Sequence, residues 1–190
     1  MAKDFPALNA HQREFIALQH MFFTASAAAG TRINISPRST DCFRIMGDNS
    51  VCYLDRTGSG NETSAHLLAD GRMTIMFCSV DGPPLILRLY VRGHVIHRDM
   101  EEYGRLLASE FENTEPLGAR QIVWLDFDLV KTSCGYGVPL FDYKQERGSL
   151  VRHWTAQGVN NLRKYWGLKN MKSIDGLPTD FAPDRMAPPR

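Results

Sequence analysis

The sequence predicts a mainly β protein in which six or so antiparallel strands, with few helices, close or nearly close a small barrel. Three observations carry this. Short β-rich segments follow one another from residue 21 to residue 54, separated by turn residues at Ala29-Gly30, Pro37 to Thr40 and Gly47 to Asn49. Two longer segments, 72–80 and 85–97, flank Asp81-Gly-Pro-Pro84. A last segment, 120–131, alternates Val123, Leu125, Phe127 and Leu129 with Trp124, Asp126 and Asp128.

The elements follow in order. Residues 9–19 begin with a capping asparagine and place Phe15, Ile16 and Leu18 at apolar positions, which predicts a first helix. Segments 21–27, 32–36, 43–46 and 50–54 read as a meander of short strands. A glycine-punctuated loop, Thr57 to Asn61, leads into a short helix that stops at Gly71. Asn61 is the expected cap, and Gly58 and Gly60 are expected to supply positive φ. In 85–97, Leu85, Leu87, Leu89 and Val91 face one way and Arg88, Tyr90, Arg92 and His94 the other. Met100, Tyr103, Leu106 and Leu107 are spaced as a connecting helix over 99–112. A later helix from 150 to about 166 carries Leu150, Trp154, Leu162 and Tyr165. Residues 1–177 form one expected domain, and the Pro-rich tail 178–190 is expected to be loosely ordered.

Bulk properties exclude several classes. Twenty-two basic residues against 21 acidic give a net charge of +1, which argues against a duplex-DNA or anionic-membrane surface. Cys42, Cys52, Cys78 and Cys134 form no Cys-x-x-Cys pair and read as buried thiols of a reducing compartment. No apolar run approaches the roughly 20 residues of a membrane span, and no signal peptide is evident, so the expectation is a cytoplasmic protein. His94 and His97 differ by an odd number of strand positions, which separates them as a metal pair. No catalytic triad is identifiable from residue order.

The Gly58 to Thr63 loop opening a helix suits a phosphate, because first-turn N–H groups and the helix dipole point at the ligand. Arg32, Asn34 and Ser36 share one face of their strand. If that strand neighbours residues 53–55, the polar row, Tyr53 and the loop converge on one donor-rich patch. Arg88, on the polar face of a core strand, requires a partner: either a ligand anion or a salt bridge to Asp126 or Asp128.

The succession Phe22 to Ala27, Arg32-Ile-Asn-Ile-Ser-Pro37, Tyr53-Leu-Asp55, Thr57 to Thr63, Gly71 to Phe77 and Leu87 to Gly93 resembles the pyridoxamine 5'-phosphate oxidase-like family of FMN-binding split barrels. It looks closest to an uncharacterised branch that also carries Ser133-Cys-Gly-Tyr-Gly-Val-Pro-Leu140 and Asn170 to Pro178. The resemblance implies a six-stranded split barrel that forms a homodimer, with FMN in clefts at the subunit interface. It implies an FMN-dependent oxidoreductase acting on a small molecule by electron or hydride transfer. The other reading is a non-catalytic flavin- or ligand-binding barrel. The cofactor-binding residues it implies are Arg32, Asn34, Ser36, Tyr53, Leu54, Ser59, Asn61, Thr63 and Arg88, with no catalytic side chain assigned. Where such oxidases usually carry a basic pair, this chain has Glu62 and Thr63. An acid beside a phosphate dianion is unfavourable. Pro37 or Arg38 also replaces a substrate-binding lysine, which points away from vitamin B6 as substrate.

Overall fold

The computed structural model describes residues 2–185. An N-terminal strand, β1 (Lys3–Phe5), precedes helix α1 (Ala10–Ala17), which Asn9 and Gln12 close with a reciprocal capping box. Next come β2 (Met21–Ser26), β3 (Asn34–Ser39), a 3₁₀ turn (Thr40–Cys42), β4 (Phe43–Ile45) and β5 (Ser50–Arg56). Helix α2 (Glu62–Ala69) leads to β6 (Arg72–Cys78) and β7 (Ile86–His97). Helix α3 (Glu101–Glu110), strand β8 (Ala119–Ser133) and helix α4 (Ser149–Lys169) complete the chain apart from a terminal 3₁₀ turn (Pro183–Arg185).

All strand pairs are antiparallel, in the order β3-β2-β6-β7-β8-β5-β4, with β1 added along β8. The path holds seven strands rather than six, and β1 is an element the sequence did not announce. Its two ends, β3 and β4, are joined by the three-residue turn at Thr40–Cys42, so the sheet curls back on itself. Phe22, Phe43, Tyr53 and Phe77 meet inside as an aromatic cluster with centroids 5.0–5.7 Å apart. Among the described residues, no helix is long and apolar enough to cross a membrane.

Two parity details position the rest. The alternation of β7 is as expected, with Leu87, Leu89 and Val91 buried. In β8 it fails at Leu129, because Tyr90 pairs with Leu129 but Val91 with Phe127, leaving Asp128 as a bulge. The extra residue reverses the faces, so Val130 is buried in place of Leu129.

A second cluster, Trp154, Leu162, Trp166 and Phe181, fastens α4 to the barrel. Trp166 Nε1 donates to Thr57 Oγ1 (2.7 Å) and Trp154 Nε1 to Thr57 O (3.2 Å). Gly158, at φ 75° and ψ 168°, breaks α4 into two helical pieces. The start of the tail is packed rather than loose: Thr179 and Phe181 are buried, and Ser64 Oγ donates to Thr179 O (2.8 Å). Residues 186–190 lie outside the described residues. Of the cysteines, Cys42 and Cys52 are buried as expected, whereas Cys78 is half-buried and Cys134 exposed.

Candidate functional site

An open cavity of about 1510 Å³ lies between β3, the loop before α2, residues 141–153 and the turn after α4. Asn34, Ser36, Leu54, Ser59 and Thr63 line it, together with Gly58 and Gly60. These elements converge without the expected pairing: β3 bonds to β2, while β5 bonds to β4 and β8.

The remaining sequence-assigned residues stand elsewhere, each for a physical reason. Tyr53 points the opposite way from Leu54 along β5, into the barrel core, where it is fully buried. Its hydroxyl lacks a partner and its ring lies 4.7 Å from the Arg38 guanidinium carbon. Asn61 is 1% exposed and does not cap α2. Its Oδ1 accepts from Gln121 Nε2 (2.8 Å) and its Nδ2 donates to Asn170 O (3.2 Å). Arg32 is held by Asp175, whose carboxylate accepts from both the Arg32 backbone N–H and its guanidinium. Arg88 reaches Ser133 Oγ at 3.4 Å rather than Asp126 or Asp128. None of these four is among the cavity-lining residues.

Four other arginines line the cavity: Arg38, Arg56, Arg120 and Arg147. Two of them, Arg38 and Arg120, are held by Asp55, which is 1% exposed. Its Oδ1 accepts from Arg38 Nη1, and its Oδ2 accepts from Arg120 Nε (2.6 Å) and Gln121 Nε2 (2.9 Å). Burial alone would raise the Asp55 pKa. The charges and hydrogen bonds of Arg120 and Arg38 outweigh it and hold the carboxyl below its ordinary value. Burial also pushes up the Tyr53 phenol and the Cys42 thiol, the latter to about 12. Residue order concealed this cluster, because Asp55 faces Gln121 across a β-bulge at Asp55/Arg56 that no composition signal reveals.

The loop itself differs from expectation. Gly58 and Gly60 keep negative φ, and a Cβ at Gly58 would meet nothing within 4 Å, so its bare backbone borders open space. No side chain caps α2, which leaves its first-turn N–H groups available beside the cavity. Glu62 borders the cavity, yet both its carboxylate oxygens accept from Ile174 N (3.2 and 3.0 Å). Arg120 Nη1 donates to Gly60 O (2.9 Å) and steadies the loop from below. Arg56 donates to Asp41 through Nη2, while its Nε is buried without a hydrogen-bond partner. The site therefore offers the Arg56 guanidinium and uncapped helix amides, a donor set that fits a phosphate.

Comparison with known proteins agrees with the architecture. A family model described as pyridoxamine 5'-phosphate oxidase matches residues 8–134. A pyridoxamine 5'-phosphate oxidase family protein of Aspergillus flavus, ustO, is 33% identical over 192 residues, covering 92% of this chain and 76% of the relative. Among solved structures, a single-substitution variant of HupZ from Group A Streptococcus aligns with TM-score 0.54 at 14% identity, over 66% of this chain and 98% of that one. A putative pyridoxamine 5'-phosphate oxidase from Lactobacillus delbrueckii aligns with TM-score 0.52 at 16% identity, over 66% and 94%. The family model spans two thirds of the chain and the curated relative most of it, and the chain belongs to the pyridoxamine 5'-phosphate oxidase family.

Proposed function

We propose that the protein is an FMN-dependent oxidoreductase that acts on a small molecule and works as a homodimer. The observation that carries this reading is the uncapped start of α2 and the bare backbone of Gly58 on a cavity that Arg56, whose Nε is buried without a partner, also lines. A buried donor without an acceptor costs about 1–3 kcal/mol, and a ligand phosphate removes that cost. In this reading Arg56, Ser59, Thr63 and the α2 amides hold the phosphate, with Arg38 and Arg120 adding positive potential from behind. Asn34, Ser36 and Leu54 border the rest of the cofactor.

Bound FMN supplies the electron or hydride transfer, and the chain supplies binding, orientation and exclusion of water. The homodimer reading is supported by Ile33 and Ile35, which stand 73% and 65% exposed at the edge-strand side of the sheet. Glu62, whose carboxylate borders the cavity, favours a second reading, a ligand-binding barrel without turnover.

The test is spectroscopic. Purified protein is expected to be yellow, to gain thermal stability with added FMN, and to lose flavin absorbance on anaerobic reduction by a reduced nicotinamide. Colourless protein whose melting temperature FMN leaves unmoved would end the FMN reading. Flavin retained but inert towards every reductant would select the non-catalytic one. Size-exclusion chromatography with light scattering checks the homodimer.

A further inference from the structure

The cavity holds more than a cofactor. About 1510 Å³ exceeds the roughly 300–1,000 Å³ typical of a pocket for one small ligand, so a second reactant has room. Its far wall is formed by residues 141–148 of a strap, 134–148, that has neither helix nor strand. The strap hangs on few contacts: Phe141 N donates to Val80 O (2.6 Å), and Tyr143 stacks on His20 at 3.6 Å and 7°. Irregular connections of this length inside a regular fold are usually functional.

The charge of the cavity differs from that of the chain. The whole sequence is nearly neutral, 22 basic against 21 acidic, yet seven Lys and Arg against four Asp and Glu line this hollow. Of the four acids, Asp41 is paired with Arg56, while Glu62 and Glu146 accept from the neutral donors Ile174 N and the Tyr143 hydroxyl and keep their charge. Lys144 and Arg147 on the strap, with Lys169 and Lys172 at the end of α4, have no carboxylate partner among the described residues. Clustered unpaired cations in a concave site focus positive potential and raise the local concentration of anions. All four lie beyond residues 8–134, the region matched by the family model.

We propose that the second reactant is a small anion, bearing a carboxylate or phosphate, and that Lys144, Arg147, Lys169 and Lys172 bind it. This rests on the FMN reading above. The strap is then the part of the site that selects substrate by charge.

The experiment uses FMN-loaded protein, reduced anaerobically and reoxidised by two one-electron acceptors of opposite charge, ferricyanide and hexaammineruthenium(III). Two ions of either kind take up the two electrons of one reduced FMN. The ratio of the two rates is compared between wild type and K144E/R147E, whose altered side chains are exposed on the strap. The expected result is a ferricyanide preference that falls by about tenfold or more in the variant and shrinks with salt. K144Q/R147Q and K169E/K172E are expected to fall part of the way. A ratio within roughly twofold of wild type in all three variants at low salt would overturn the proposal. If the protein takes up no FMN, the cofactor reading fails, and calorimetric titration of the apo protein with inorganic pyrophosphate replaces the kinetic test. Binding weakened in K144E/R147E then supports the anion subsite, and unchanged or absent binding removes it.

Discussion

Replacing Asp55 by Asn is expected to be among the most damaging single changes to the barrel. Asp55 sits 1% exposed between two buried guanidiniums, with Arg120 Nε at 2.6 Å and Gln121 Nε2 at 2.9 Å. The side chains of Arg38 and Arg120 are themselves only 16% and 5% exposed, so neither can relax into water when the carboxylate is neutralised. Breaking one buried ion pair costs about 3–5 kcal/mol, and here two cations lose one anion. For a chain of this size that loss lowers Tm by roughly 6–20 °C. The sign of the pH effect follows from the depressed folded-state pKa. Its stability contribution is present above the unfolded carboxyl value, near 4, and is lost as pH falls through the lower folded value. Urea denaturation of wild type and D55N, at pH 7 and across pH 5 to 2, tests both statements. The variant should lose most at neutral pH and show a shallower acid dependence. A loss under about 1 kcal/mol at pH 7 would refute the claim that this cluster holds β5 to β8 and β3.

Other expectations follow from single contacts. Arg56→Ala should weaken FMN binding by about 1.5–3 kcal/mol, roughly 10- to 150-fold, by calorimetry, while Arg88→Ala should leave it near wild type. Thr57→Val strands the Trp166 indole N–H, which donates to Thr57 Oγ1 at 2.7 Å, and should cost about 1–3 kcal/mol in urea titrations. Gly93→Ala would set a Cβ 1.9 Å from Trp124 O across the β7–β8 ladder. The loss should be about 3 kcal/mol or more, read from Tm. With a thiol reagent at pH 8, Cys134 should react at once, whereas Cys42 and Cys52, buried and pushed up to about 12, should react only on unfolding.

What the sequence made legible is governed by local rules, and what it hid depends on register. Helix α1 with its capping Asn9, the two faces of β7, and the stop of α2 at Gly71 (φ 81°) are decided within a few residues and were readable. The parity of β8 was readable until Asp128, where one bulged residue reverses the faces without any mark in composition. The site was legible in the same uneven way. Ser59 and Thr63 belong to a contiguous glycine loop and could be assigned to the cavity, as could Asn34, Ser36 and Leu54. Arg120 could not, because its relation to Asp55 arises from pairing between strands 65 positions apart. The burial of Phe181 was hidden behind a Pro-rich composition that ordinarily signals a loose end.

The acid in the glycine loop has a physical account, and it comes from the other end of the chain. Glu62 stands where a phosphate-binding loop would gain from a cation, but its two oxygens are turned onto Ile174 N. One residue further, Asp175 grips Arg32 through backbone and side chain. Glu62 and Arg32 are thus joined to adjacent positions of one loop, held in turn by Ser173 N to Leu177 O (2.9 Å) and Leu177 N to Ser173 Oγ (3.1 Å). A carboxylate accepting N–H bonds presents less uncompensated charge to a neighbouring anion than a free one does. Removing that acceptance should expose the conflict. Replacing Asp175 by Ala, which frees the loop without touching a cavity-lining residue, should therefore weaken FMN binding and hasten proteolysis at Lys172. Glu62→Gln in the same background should restore part of the affinity, because the repulsion disappears with the charge. If the double variant bound FMN no better than D175A, the docked C-terminal loop would not be what reconciles Glu62 with a phosphate.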